Sequence, residues 1–166
     1  MIDKAYLQRM SLYNRWQNES LYAAASTLSE AERKLERGAF WGSIHGTLSH
    51  LIWGDGMWLS RFAGTPKPTA GIKDSHTLYP DWEALKRERA RLDQFIIDWS
   101  DGLDPAWLEG DLIWLSGAAQ RELSRPKWIL VTHFFNHQTH HRGQVHAMLT
   151  QADAKPGDTD LFFMPE

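Results

Sequence analysis

Between Pro126 and Ala152 the chain carries one long stretch that leaves little choice of fold. Its apolar residues, Trp128, Ile129, Leu130, Val131, Phe134, Phe135, Val145, Met148 and Leu149, form a run too long and too dense for a β-strand. Pro126 suits a first helical turn, where its missing N–H costs nothing, and Gly143 is the one weak helix former inside. The pattern therefore predicts a single long helix. The same stretch holds five of the eight histidines, His133, His137, His140, His141 and His146. On a helix of 3.6 residues per turn His133, His137 and His141 recur every four positions, with His140 and Gln144 on the same side. One helix face thus bears a stripe of imidazoles.

Two neutral imidazoles one turn apart can share a metal ion, but zinc, nickel or iron in such a setting wants at least one further protein ligand, with water in the remaining positions. Histidines at helical spacing also occur as hydrogen-bonded polar residues on a partly exposed face. Their density here strengthens the case for a metal beside that reading, and the strong apolar partner face describes a packed helix rather than a low-complexity metal tract. The chain has no cysteine, which excludes disulfides, thiolate ligands and a cysteine nucleophile. Only His, Asp and Glu remain as ligands.

A chain of 166 residues with 42% hydrophobic content and nine tryptophans suits one domain, 1–166, with a single core. The net charge of −3 provides no basic face for nucleic acid. Met1-Ile2-Asp3-Lys4-Ala5-Tyr6 lacks the pattern of a signal peptide, and no apolar run approaches the ~20 residues that span a bilayer. The expectation is a soluble cytoplasmic protein without a membrane partner.

A first helix is predicted over 3–28, with Asp3 as N-cap and Tyr6, Met10, Tyr13, Leu21 and Leu28 on its buried face. Asn14 and Asn18 interrupt that face one turn apart. They read either as exposed polar surface or as a buried hydrogen-bonding pair that positions a neighbouring helix or a ligand. Ser29 can cap a short helical turn. A second long helix follows over 43–63, ended by Gly64-Thr65-Pro66, with Ile44, Leu48, Leu51, Ile52, Met57, Trp58 and Phe62 apolar and His45, His50 and Asp55 standing out. Alone, a mid-helix His50 reads as a satisfied core residue. Beside a helix offering two imidazoles it becomes the natural third ligand, while the helical step turns His45 well away from it. Residues 65–78, including His76, read as a surface loop. A third helix runs from Pro80-Asp81-Trp82-Glu83 to about Ser100, with Trp82, Leu85, Leu92, Phe95, Ile96 and Trp99 inside and Lys86, Arg87, Glu88, Arg89 and Arg91 as its solvated face. Residues 111–116 and 120–123 read as a small β-hairpin turning at 117–119, and the aromatic tail after Gly157 is expected to pack back on the bundle or on a partner. Four long amphipathic helices describe an all-α four-helix bundle, a fold that builds metal sites from side chains on facing helices.

Tyr13-Asn14-Arg15-Trp16-Gln17-Asn18, His50-Leu51-Ile52-Trp53-Gly54-Asp55-Gly56-Met57-Trp58-Leu59 and Asn136-His137-Gln138-Thr139-His140-His141-Arg142-Gly143-Gln144 resemble the DinB/YfiT-like family of metalloenzymes, helical bundles distinct from the translesion polymerase that shares the name. The resemblance covers nearly the whole chain, and the His-His-Arg-Gly-Gln block is its most specific part. It implies a divalent metal held by His50, His137 and His141, the set also reached from spacing and the need for a third ligand. His133, His140, Gln144 and Asn14 then become candidate pocket residues. The resemblance further implies a homodimer and includes relatives that use a low-molecular-weight thiol.

Three neutral histidines leave a metal one or more open positions, the arrangement of a catalytic site. Zinc or nickel is expected, with iron also accommodated. The metal could activate water for hydrolysis, or hold a thiol as thiolate and direct it at an electrophile. The analogy favours a thiol-dependent S-transferase acting on a small-molecule electrophile. A metal-dependent hydrolase and a non-catalytic metal-binding stress-response or scaffold protein are the alternatives, the latter supported by the lack of an obvious general base near the histidines.

Overall fold

The computed structural model describes residues 2–117 and 119–166, and the long amphipathic runs become four helices of a bundle. Helix α1 spans Lys4–Ser26, capped by Asp3, whose side chain accepts from the Tyr6 N–H. A short α2, Glu30–Lys34, begins with a reciprocal capping box between Ser29 and Glu32. Helix α3 spans Ile44–Phe62 from its Ser43 cap, and Gly64 beyond its end takes a φ of +68° that suits glycine. Helix α4 spans Trp82–Gly102 with Asp81 as its cap. Helix α5, Lys127–Gln151, is the predicted histidine helix. Pro126 lies just before it as the cap residue rather than inside the first turn, because it also closes a strand.

Helix α1 packs against α4 and α5, and α3 packs against the same two, which places α1 and α3 on the diagonal of the bundle. Between α4 and α5 strands β1, Asp111–Ser116, and β2, Arg121–Pro126, form an antiparallel hairpin with Trp114 opposite Leu123. The predicted hairpin is therefore present; of its turn, Ala118 lies outside the described residues. The 63–81 connection carries a 3₁₀ turn, Ile72–Thr77, that packs on α3.

The core joins Leu7, Leu21 and Ala25 of α1, Ile44, Leu48 and Leu59 of α3, Leu85, Leu92 and Ile96 of α4, and Val131, Phe134, Phe135, Val145 and Leu149 of α5. On α1 the buried apolar line runs through Leu7, while Tyr6, Met10 and Tyr13 are half-buried at its edge. Leu21 and Leu28 of the expected face are buried, whereas in the N-terminal half of the helix the buried line lies one residue over because it contains polar members. Asn14 and Asn18 are 1% and 2% exposed, so the surface reading fails for both.

These asparagines belong to a buried polar layer to which all four long helices contribute. Asn14 and Asn18 each donate to Asp93 Oδ1 at 2.9 Å. Arg89 Nη1 donates to Asp55 Oδ2 at 2.6 Å, and its Nη2 lies 2.9 Å from Asp93 Oδ1. Gln138 donates to Asp55 Oδ1 at 3.0 Å, and Arg142 donates to Asn14. Arg89 is thus not part of a solvated face, as its charged neighbours suggested: it is 3% exposed, and two carboxylates from α3 and α4 compensate its burial. Burial alone would lower Arg89, yet Asp93 and Asp55 hold it above the usual arginine range, so it stays charged. Burial pushes Asp93 up from the usual carboxylate range.

The tail is tied down by its backbone. Tyr13 donates to the Thr159 carbonyl at 2.6 Å and Gln17 to that of Asp158 at 2.9 Å. Of the two expectations for its aromatic residues, packing back on the bundle is not met: Phe162 is 78% and Phe163 58% exposed, and the two rings pack on each other. No described helix is long and apolar enough to cross a membrane.

Candidate metal centre

Helices α3 and α5 run antiparallel, so that Trp58 faces His133 and Gly54 faces His137. This pairing brings His50 up to the turn between His137 and His141. One ring nitrogen from each of His50, His137 and His141 lies within 4.8 Å of the other two. The His50 and His137 Nε2 atoms are 3.3 Å apart. Two imidazole nitrogens, each roughly 2.0–2.1 Å from one ion at a tetrahedral angle, stand about 3.3 Å apart, so the pair already has the span of one edge of a zinc-like site.

The hydrogen bonds behind the rings decide which nitrogen faces inward. His50 Nδ1 lies 2.8 Å from Ser75 Oγ, and that hydroxyl gives its own hydrogen to the Ile72 carbonyl at 2.7 Å. Ser75 can then only accept, so His50 carries its hydrogen on Nδ1 and presents a bare Nε2 to the site. His141 Nδ1 lies 2.8 Å from Gln144 Oε1, an acceptor, which likewise leaves its Nε2 bare. Gln144 Nε2 in turn reaches His140 Nε2 at 3.3 Å.

Burial, assisted by the neighbouring imidazoles, pushes His50 and His137 down to about 3, and burial lowers His141 as well. All three are neutral near pH 7, the state in which imidazole ligates metal. Rigid neighbours hold them in place. Trp41 stacks on His50 at 4.0 Å between ring centroids, and the backbone of Gly54 admits the His137 ring so closely that a Cβ there would stand 2.8 Å from Cε1.

The group opens into a cavity of about 290 Å³ lined by Phe40, Trp41, Trp53, Met57, Trp58 and Arg61. Among its lining residues there is no carboxylate. Asp55, the acidic residue nearest in sequence to His50, is 0% exposed and bound by Arg89 and Gln138. The chemistry open to this site is therefore metal ligation by neutral nitrogen, beside an aromatic cavity without a carboxylate base.

Of the remaining sequence candidates, His133, His140 and Gln144 lie beside the group. His133 packs edge-on against Trp58 at 5.2 Å and stands 5.9 Å from the His137 ring. His140 is exposed, with its ring 4.9 Å from that of His141. Asn14 is directed into the polar layer, where it contacts Asp93 and Arg142. His45 points elsewhere, its Nε2 2.7 Å from the Tyr79 carbonyl, as the helical step predicts. Sequence reasoning missed Ser75, Trp41, Gly54 and Arg61. His76, expected on the surface, is half-buried with its ring 5.9 Å from Trp41, because the 3₁₀ turn that delivers Ser75 folds inward. No local pattern marks a serine in a Pro- and Gly-bearing loop as a histidine's partner.

A family model described as the DinB family matches residues 1–166, the whole chain. Among curated proteins none matches it.

Proposed function

The chain belongs to the DinB family, and on that premise we propose that it is a divalent-metal-dependent enzyme, a thiol S-transferase acting on a small electrophile. His50, His137 and His141 hold the metal, zinc or nickel before iron, and a low-molecular-weight thiol is the cosubstrate. The observation that carries this reading is the convergence of three neutral imidazoles on an aromatic cavity without a carboxylate. A bound metal would supply Lewis acidity, lowering the pKa of a thiol or water in its open position. The chain's own residues supply the rest. Ser75 and Gln144 set the histidine tautomers, Trp41 and Trp53 restrict water around His50, and the aromatic walls receive the apolar parts of the reactants. In the transfer the thiol sulfur bonds to the electrophilic carbon, the displaced group leaves with its electron pair, and the thiol proton passes to solvent.

Hydrolysis is the second choice, since a hydrolytic site commonly adds a carboxylate base and this cavity offers none. The test is metal content together with consumption of a chromogenic electrophile in the presence of thiol, for wild type, His137→Ala and His50→Gln, with folding checked by circular dichroism. Near-stoichiometric metal and thiol-dependent turnover in wild type, both lost in the variants, support the proposal. Tight metal binding without turnover of thiol or ester substrates would instead support a non-catalytic metal-binding protein.

A further inference from the structure

The cavity beside the three histidines contains one permanently charged side chain, Arg61. Among the described residues the Arg61 guanidinium has no carboxylate within 4.0 Å and no hydrogen-bond partner. It is half-buried, with its guanidinium lying 4.5 Å over the Trp58 ring and 5.8 Å from that of Trp114. Stacking on an indole face leaves the edge of a guanidinium, with its fork of N–H donors, directed outward. Arg61 also sits in the last turn of α3, where a cation complements the negative end of the helix dipole, but that role needs neither the stacking nor a place in the cavity wall.

We propose that Arg61 is the recognition residue for an anionic group, a carboxylate or its equivalent, on the small molecule that occupies this cavity. The proposal rests on the metal-site reading for the other end of the ligand. Trp58 lies eight residues beyond His50, about 12 Å along the helix axis, and an arginine side chain on a helix leans back toward the N-terminus. The occupant is then an elongated molecule with an electron-rich donor at the histidines, an apolar body against Trp53, Met57 and Trp58, and an anionic end at Arg61. A metal cation and Arg61 make the cavity electropositive in a protein of net charge −3, and no lining carboxylate competes. A guanidinium partly withdrawn from water gains more from such a partner than an exposed one does.

The test is binding of ω-mercaptoalkanoates of graded chain length, each beside the neutral ω-mercaptoalcohol of equal length, to wild type, Arg61→Gln and Arg61→Lys. Quenching of tryptophan fluorescence reads binding to the metal-free and the cobalt(II)-loaded protein, and the thiolate-to-cobalt charge-transfer band reads the metal end separately. At one favoured length wild type is expected to bind the carboxylate about 10- to 100-fold tighter than the alcohol. Arg61→Gln should reduce that ratio to near unity with cobalt uptake and alcohol affinity unchanged, and Arg61→Lys should retain part of it. A carboxylate preference absent from wild type, or surviving in Arg61→Gln, overturns the proposal. Absence of cobalt uptake overturns the metal reading instead, and the carboxylate-to-alcohol ratio on metal-free protein still decides the role of Arg61.

Discussion

Replacing Gly54 by alanine separates the bundle's need for a helix from the site's need for space. An added Cβ would stand 2.8 Å from His137 Cε1, about 0.6 Å short of ordinary contact, which begins at 3.4 Å. The ring must yield by roughly that amount, beyond the ~0.5 Å within which a ligand constellation holds its geometry. Alanine favours a helix over glycine by about 1 kcal/mol, while overpacking a tight interface costs about 1–3 kcal/mol. The metal-free variant should therefore be between equally stable and about 2 kcal/mol less stable by urea titration. Zinc affinity, read by competition with a chromophoric chelator, should fall about 10- to 100-fold, the loss typical when a ligand's support is disturbed. Gly143→Ala is the control. It lies in α5 with nothing within 4 Å of the added Cβ, so it should gain up to about 1 kcal/mol and bind zinc as wild type does. The reasoning is refuted if Gly54→Ala binds zinc within about twofold of wild type, or if Gly143→Ala loses as much.

Arg89→Met strands Asp55 and Asp93, 0% and 3% exposed, without their cation, and urea denaturation should show a loss of about 3–5 kcal/mol; a loss below about 1 kcal/mol would mean that the polar layer does not depend on the pair. Ser75→Ala frees the His50 tautomer and should weaken zinc binding about 10-fold or more with the helical circular dichroism unchanged, whereas unchanged affinity would leave Ser75 no part in orienting the ring. The metal-free protein should also lose stability as the pH falls. His50 and His137 are lowered to about 3, and His45, His133 and His141 are lowered too, so below about pH 6.5 the unfolded chain binds protons that the folded one refuses. Asp93, raised by burial, acts with the opposite sign and offsets part of the drop that the histidines produce. Urea midpoints should therefore drop between about pH 7 and about pH 5, less steeply for His137→Gln, and a flat profile would contradict the neutral buried histidines.

Much of this protein is local, and the local part was legible. The 3.6-residue recurrence of apolar side chains located the four long helices, Asp3 and Gly64 marked a start and a stop, and the paired short runs around 117 marked the hairpin. The four-residue spacing of His137 and His141 put two imidazoles on one face before any neighbour was known. Arg89 shows where that reading stops. In sequence it is one charge in a run of charges, and only Asp55, brought from another helix, makes its burial tolerable. Asn14 and Asn18 look like surface until Asp93 is placed between them. Gly54, Ser75, Trp41 and Arg61 carry no local signal at all, because each is defined by what stands across from it: an imidazole ring, a ring nitrogen, or a shared cavity. The sequence by itself determined the helices, since backbone hydrogen bonds three and four residues apart and one-sided hydrophobicity are properties of a segment. Only the tertiary structure decided which polar groups are buried, which histidine nitrogens face inward and what surrounds them, because a charge or an imidazole is stable inside only beside a partner that distant parts of the chain provide.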